Sequence, residues 1–368
     1  MRARWLTSAA CRITVAARRH RRSPTSPRRT EEGRGAGMSV GRVSSAALAL
    51  GAALAVASCV GADAPKTAST STSSVVSRQP AAEVVTLKTL AALPAETPTL
   101  TIGDQLGAEP TYLTRAVAYP SGGLVISGVL HTPKATGTFP AVVLVHGGVS
   151  PSDYTTGSEL KREQAALAQA GYVVLVTDLR GFAASDRNPS TGDVDMGATQ
   201  DIVNAARALA GTKALHVDPQ RIGLVGHSLG GLQVINAMVA APPAAQAVVA
   251  IAPASTTVWN NVQRFLKPGE AGYAAVVGPH GTQQENPQFW ADVSPATMAA
   301  RATAPLLIVQ GTADKVVDPA WTPATESAWK AAGKPVSVAR IDGADHFLDP
   351  LWQKGFDALL GFLDKQLA

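Results

Sequence analysis

The stretch Gly226-His227-Ser228-Leu229-Gly230-Gly231 joins two segments of different character. Before it, Arg221-Ile222-Gly223-Leu224-Val225 is a short apolar run with strand character, and after it residues 232–240 are Ala-rich, free of Pro and Gly, and read as a helix. A serine between glycines at a strand-to-helix turn is held at the tip of a tight bend, with its hydroxyl presented outward. The glycines are needed because neighbouring backbone passes close to such a bend, where a Cβ would clash. In a chain with 33 glycines the string alone is a weak signal, and the flanking strand and helix give it weight.

Outward from this turn, apolar runs alternate with helical stretches. Residues 141–145 are continuously apolar, as in a strand buried on both faces. Residues 158–170 have helical spacing and stop at Gly171, and 172–177 is again a buried strand. Helices are expected over 195–210, 321–332 and 351–367, and further strands over 222–225, 247–251, 306–310 and 336–341. Residues 114–119 and 124–130, separated by Pro120-Ser121-Gly122-Gly123, read as a β-hairpin. The pattern predicts an α/β fold: a mostly parallel central sheet with helices on both faces and an antiparallel N-terminal hairpin. Residues 81–112 are ambiguous, with extended structure as one reading. Residues 254–304 break the alternation and carry Trp259, Phe265, Tyr273, His280, Phe289 and Trp290. A structureless loop of that length does not suit a compact domain, so a helical excursion over the serine edge is expected. Its aromatic side chains either shape a substrate pocket or pack the excursion onto the body.

The chain has 368 residues and is 46% apolar, enough for a full core. Its formal charge of +5 is an N-terminal feature: residues 1–37 hold ten Arg against two Glu, Arg42 follows, and residues 59–368 are left at about −4. No basic stripe with interleaved aromatics lies in that acidic part, so no nucleic-acid partner is expected. Residues 46–56 are an uncharged apolar run of signal-peptide length, short for a bilayer span, with Met38 as its expected start and Arg42 as its basic flank. The run ends in Val56-Ala57-Ser58-Cys59, which resembles the lipobox of bacterial lipoproteins and implies a lipid-modified Cys59. Plain secretion, with cleavage after Ala55-Val56-Ala57, is the alternative. The expected division is a basic extension absent from the mature protein (1–37), a signal peptide (38–58), a Ser/Thr-rich flexible tether (59–85) and the folded domain (86–368). Membrane attachment is expected only through Cys59. Cys11 and Cys59 are the two cysteines, so the domain has no disulfide, no Cys nucleophile and no Cys-based metal site.

A serine hydroxyl attacks only when a neighbouring base takes its proton, and the base needs an acid to hold its tautomer. Of seven histidines, His280 and His346 lie beyond Ser228. His346 follows the 336–341 strand directly, at the strand end where reactive groups gather in such sheets, whereas His280 falls in the excursion as surface or pocket wall. The acid is expected at Asp314, one turn past the 306–310 strand; Asp318 is the rival and better suits a cap of the next helix. Asp342, Asp345 and Asp349 read as solvated loop charges. Oxyanion donors are expected from the Leu229 N–H and from the loop His146-Gly147-Gly148-Val149, at Gly148 or else Val149. His146 and His227 read as structural, and Asp178 with Arg180 as loop-fixing. No His-x₃-His or carboxylate cluster supports a metal, and no cofactor is expected.

With these parts in order, residues 113–368 resemble an α/β-hydrolase. Asp218-Pro219-Gln220-Arg221-Ile222-Gly223, Trp290 with Ser294-Pro295, and Ala304-Pro305-Leu306-Leu307-Ile308 resemble the prolyl-oligopeptidase-like and dienelactone-hydrolase-like branch. The resemblance implies Ser228 as nucleophile, Asp314 as acid and His346 as base. Two departures count against a peptidase. The roughly 50 residues between Cys59 and the hairpin do not supply a β-propeller, and Gly148 stands where those peptidases use a Tyr hydroxyl. The expected activity is that of an exported serine hydrolase cleaving carboxylic esters. A peptidase acting on small peptides or aminoacyl amides is the alternative, and a non-catalytic binding protein on a hydrolase scaffold is third.

Overall fold

All five residues of the 141–145 run are fully buried, which requires cover on both faces of the sheet they occupy. The computed structural model describes residues 86–187 and 194–368; the expected extension, signal peptide and tether, with Cys59, lie outside the described residues. The strands are β1 (Thr101–Ala108), β2 (Tyr112–Ser121), β3 (Leu124–Pro133), β4 (Phe139–Val145), β5 (Val173–Thr177), β6 (Val217–His227), β7 (Ala247–Ile251), β8 (Leu306–Gly311) and β9 (Val336–Ile341). They form a nine-stranded sheet in the order β1-β2-β3-β5-β4-β6-β7-β8-β9. Pairs from β5 to β9 are parallel, while β1, β2, β3 and the β3–β5 junction are antiparallel. This is the α/β-hydrolase fold, with the hairpin β2–β3 in register from Tyr112↔Pro133 to Ser121↔Leu124.

Helices α1 (Leu87–Ala92), α2 (Lys161–Gln169), α3 (Met196–Gly211) and α4 (Leu229–Ala240) precede the excursion. The excursion folds as α5 (Val258–Phe265), α6 (Ala271–His280), α7 (Pro287–Asp292) and a 3₁₀ segment, Pro295–Arg301. Helices α8 (Trp321–Ala331) and α9 (Trp352–Gln366) complete the chain. Because side chains alternate along a strand, each central strand feeds two cores. Val143, Leu175, Leu224 and Ile308 point to the face covered by α3, α4 and the excursion; Val142, Val174, Val225 and Val309 point to the face covered by α2 and α9. Parallel strands run the same way, so their C-terminal ends gather the β4, β6, β8 and β9 loops along one edge.

Three boundaries depart from the sequence pattern. Strand β1 and helix α1 occupy the ambiguous stretch before the hairpin, and β6 begins five residues before its apolar run. Helix α2 starts at Lys161 because Leu160 takes a left-handed backbone, φ 57°, and interrupts the helical spacing there.

Candidate active site

Ser228 stands between the last residue of β6 and the first of α4, with φ 57° and ψ −118°, a backbone region that a side-chain-bearing residue rarely occupies. The bend is over-determined by its neighbours. Ser228 N–H donates to Ile251 O (2.9 Å), and Ser228 O accepts from Ala254 N–H (3.0 Å) and Leu232 N–H (3.2 Å). A Cβ on Gly226 would strike the Gly230 carbonyl, and one on Gly230 would strike the carbonyls of Val145 and His146. The flanking glycines therefore let the turn close and seat it against the loop after β4.

Asp314 and His346 lie on the loops after β8 and β9, which pair in parallel from Leu306↔Val336 to Gly311↔Ile341. Both are buried, and His346 Nδ1 meets Asp314 Oδ2 at 2.8 Å. A carboxylate accepts only, so the His346 proton sits on Nδ1 and Nε2 carries the lone pair. Asp314 Oδ2 also accepts from Gln310 Nε2 (3.1 Å), and its Oδ1 accepts from the N–H groups of Val316 (2.8 Å) and Val317 (3.2 Å). Burial pushes the Asp314 carboxyl up. The His346 ring with its N–H, the Val316 N–H and the Gln310 amide outweigh it, and the carboxyl lies below its usual value. Asp314 is thus an anion held by four donors and aimed at His346.

His227 binds the serine turn to the His346 loop: its Nε2 donates to His346 O at 2.9 Å, and the two rings lie 4.7 Å apart. Burial, and then the nearby His346, lower its pKa to about 3, so it is a neutral strut with a fixed tautomer. His146 is likewise buried. Its ring nitrogens lie 2.8 Å from Gly147 O and 3.2 Å from Asp178 O, and its ring packs on Tyr154 and Phe182. It spans the loop that carries Gly147 and Gly148. Gly147 passes so close to the turn that an added Cβ would sit 3.2 Å from Ser228 Cβ. Gly148 and Leu229 line the cavity at Ser228, and Leu229 opens α4, whose first N–H groups have no partner within the helix. The side chain of Val149, the alternative donor, packs against the core.

That cavity, of about 80 Å³, is walled by Leu232, Val258, Val262, Phe265, Leu266 and Val276 among others. Helices α5 and α6 of the excursion thus form part of its wall. Phe265 reaches the cavity, whereas Trp290 is buried against Trp259 and Phe289, packing the excursion onto itself. His280 stacks on Phe289 at 3.8 Å. Asp318 is exposed and accepts from Ala320 N–H ahead of α8, and Asp345 and Asp349 are exposed, the latter paired with Arg162. Asp178 and Arg180 fix loops through separate partners. Asp178 accepts from Ser127, Tyr154 and Gly157, while Arg180 pairs with the fully buried Asp201 at 2.7 Å. Among the described residues no cluster of three or more His, Cys, Asp or Glu side chains has metal-binding geometry. Sequence reasoning passed over Gln310, which braces Asp314, and Gln233 and Asn236, which line the cavity. Their signal was two polar residues three apart inside an otherwise apolar helix.

The prolyl oligopeptidase family (Peptidase_S9) matches residues 158–368, more than half of the chain. The chain belongs to this family. Both an esterase and a peptidase stand among the relatives it matches. Esterase EstD of Thermotoga maritima is 32% identical over 145 residues, covering 39% of this chain and 34% of that protein. An uncharacterised peptidase of Bacillus subtilis, YuxL, is 28% identical over 234 residues, covering 61% of this chain and 34% of that protein. The chain therefore spans about a third of the length of these curated relatives. Acetyl xylan esterase 1 of a Thermoanaerobacterium species superposes with a TM-score of 0.59 at 17% identity, covering 77% of this chain and 91% of that one. The acylaminoacyl peptidase of Pyrococcus horikoshii superposes at 0.59 and 21% identity, covering 70% and 42%. At such identities these two likenesses bear on the fold alone.

Proposed function

We propose that this protein cleaves carboxylic esters through an acyl-enzyme formed on Ser228, with His346 as base and Asp314 as its orienting acid. The observation that carries the reading is the buried 2.8 Å contact from His346 Nδ1 to Asp314 Oδ2, which leaves Nε2 basic at the edge where Ser228 is presented. Ser228 Oγ gives its proton to Nε2 as the Oγ–C bond forms. The oxyanion is held by the N–H groups of Leu229 and Gly148, and collapse expels the alcohol, which takes the proton from Nε2. Water then attacks the acyl carbon, His346 again accepting the proton; collapse breaks the acyl–Oγ bond, Ser228 Oγ takes the proton back from Nε2, and the acid leaves.

Among the described residues that line the cavity Asp195 supplies the single carboxylate, and these hold no acidic pair to grip a peptide amino terminus. This supports ester over amide. The peptidase reading is favoured instead by the family match and by the likeness to YuxL. We place the enzyme outside the cytoplasm, anchored through lipid on Cys59; the mass of the mature N-terminus tests this, and an unmodified Cys59 refutes it.

The activity test pairs fluorophosphonate labelling of wild type and Ser228→Ala with a panel of acyl esters and aminoacyl anilides. Labelling of wild type alone, with esters turned over faster than anilides, is the expected result. Anilide turnover equal to or above that of activated esters makes the enzyme a peptidase.

A further inference from the structure

Two side-chain carbonyl oxygens, Gln233 Oε1 and Asn236 Oδ1, are buried without a hydrogen-bond partner, and both residues wall the cavity at Ser228. Gln233 is 2% and Asn236 1% exposed. The orientation of the Asn236 amide follows from its neighbours. Asn236 Nδ2 donates to Thr199 Oγ1 (3.4 Å), and Thr199 Oγ1 donates its single proton to Asp195 O (3.3 Å). Thr199 can therefore only accept from Asn236, and Oδ1 is the end left over. Asn261, in the same wall, has both amide ends satisfied by the Ser255 backbone, at 2.9 Å each. Buried acceptors are ordinarily paired, so two unpaired ones on one helix face, on residues that wall one cavity, call for a donor that arrives from outside.

We infer that Gln233 and Asn236 determine the specificity of this cavity by accepting hydrogen bonds from an N–H or O–H group carried by the substrate. The inference rests on the reading of Ser228 as nucleophile. On α4 the two residues lie five and eight positions beyond Ser228, roughly 7 and 12 Å along the axis, and helical side chains lean back toward the N-terminus. The donor thus belongs about three to six bonds from the scissile carbonyl. A substrate with a purely alkyl chain leaves both oxygens unpaired on binding, whereas one with a matching donor pairs one of them. Sites with buried hydrogen-bonding groups discriminate in this way against analogues that lack the complement.

The test uses p-nitrophenyl esters of N-acetylglycine, N-acetyl-β-alanine and 4-acetamidobutanoate, each against its N-methyl counterpart. In wild type, kcat/KM favours the N–H substrate by about tenfold or more for at least one chain length. The ratio falls toward one in Gln233→Met or Asn236→Leu, which keep volume and remove the acceptor. Steric exclusion of the N-methyl group would persist in both variants, so a ratio unchanged in both overturns the inference. A wild-type ratio near one at every length also overturns it, whether or not the variants fold. Fluorophosphonate labelling separates the two levels. Wild type that labels but shows no N–H preference sinks only this inference, whereas wild type that neither labels nor turns over any ester sinks the Ser228 reading with it.

Discussion

Replacing Asp314 by Asn changes one atom, yet the site dictates how the new amide must sit. Asp314 Oδ1 accepts two backbone N–H groups, from Val316 and Val317, and Oδ2 accepts from His346 Nδ1 and Gln310 Nε2. The amide oxygen of Asp314→Asn stays with the backbone donors, since two rigid N–H groups cannot face an NH₂. Its nitrogen then faces His346 Nδ1, which must become an acceptor, and the imidazole proton moves to Nε2. A protonated Nε2 cannot take the Ser228 proton. The wrong tautomer costs about 10⁴-fold in kcat in a Ser-His-Asp site, with substrate binding little changed. Opposing the new NH₂ to Gln310 Nε2 adds a stability loss of about 1–3 kcal/mol. Stopped-flow or steady-state hydrolysis of a p-nitrophenyl ester measures the first effect and thermal unfolding the second. Asp318→Asn, at the exposed rival position, is the control and stays within about twofold of wild type. Activity of Asp314→Asn within tenfold of wild type, or a collapse in Asp318→Asn instead, refutes the assignment of the acid.

Two further outcomes follow from the same geometry. Gly230→Ala drives a Cβ into the carbonyls of Val145 and His146, which are backbone and cannot rotate away. It lowers stability by about 1–3 kcal/mol or more, seen as a Tm drop of about 2–4 °C per kcal/mol, and slows Ser228 labelling because the oxyanion loop is displaced. The buried histidines set the acid limb of stability: burial lowers the pKa of His131, His146 and His227, the last to about 3. Between roughly pH 6.5 and 3 the unfolded chain binds protons there that the native fold refuses, so stability falls as pH falls through that window. Asp314, whose carboxyl lies below its usual value, adds stability above the unfolded carboxylate pKa that is lost only at still lower pH. Unfolding midpoints across pH 4–8 should decline toward acid, and His227→Gln should flatten part of that slope.

The parts of the fold that were legible in the sequence are those whose side chains meet a uniform environment. Strands β4, β5, β7 and β8 carry continuous apolar runs because both faces are covered, broken only at their ends by Thr177 in β5 and Gln310 in β8, and β9 came out at its observed limits. The serine turn was readable because steric closure demands glycines on both sides of Ser228, and His346 and Asp314 because chain order and strand ends leave few candidates. Strand β1 was not readable. It is an edge strand with mostly exposed residues and two irregularities in register against β2, so no alternation marks it. The early start of β6 was hidden for a related reason, since its pairing with β4 shifts between Phe139 and Ala141 and Pro219 and Gln220 are exposed. Contacts between residues far apart in sequence left no local trace. The His227 to His346 hydrogen bond spans 119 positions, and the cavity wall combines α4 with α5 and α6.

The central claim is that Ser228 carries the acyl group between the two halves of the reaction. Acid quenching during turnover of a p-nitrophenyl ester, followed by intact-mass and peptide mapping, reads that group directly. One acyl adduct on the peptide containing Ser228, absent from Ser228→Ala and persisting longer in His346→Ala if it forms there at all, is the predicted result. An adduct on another residue, or undiminished turnover by Ser228→Ala, contradicts it.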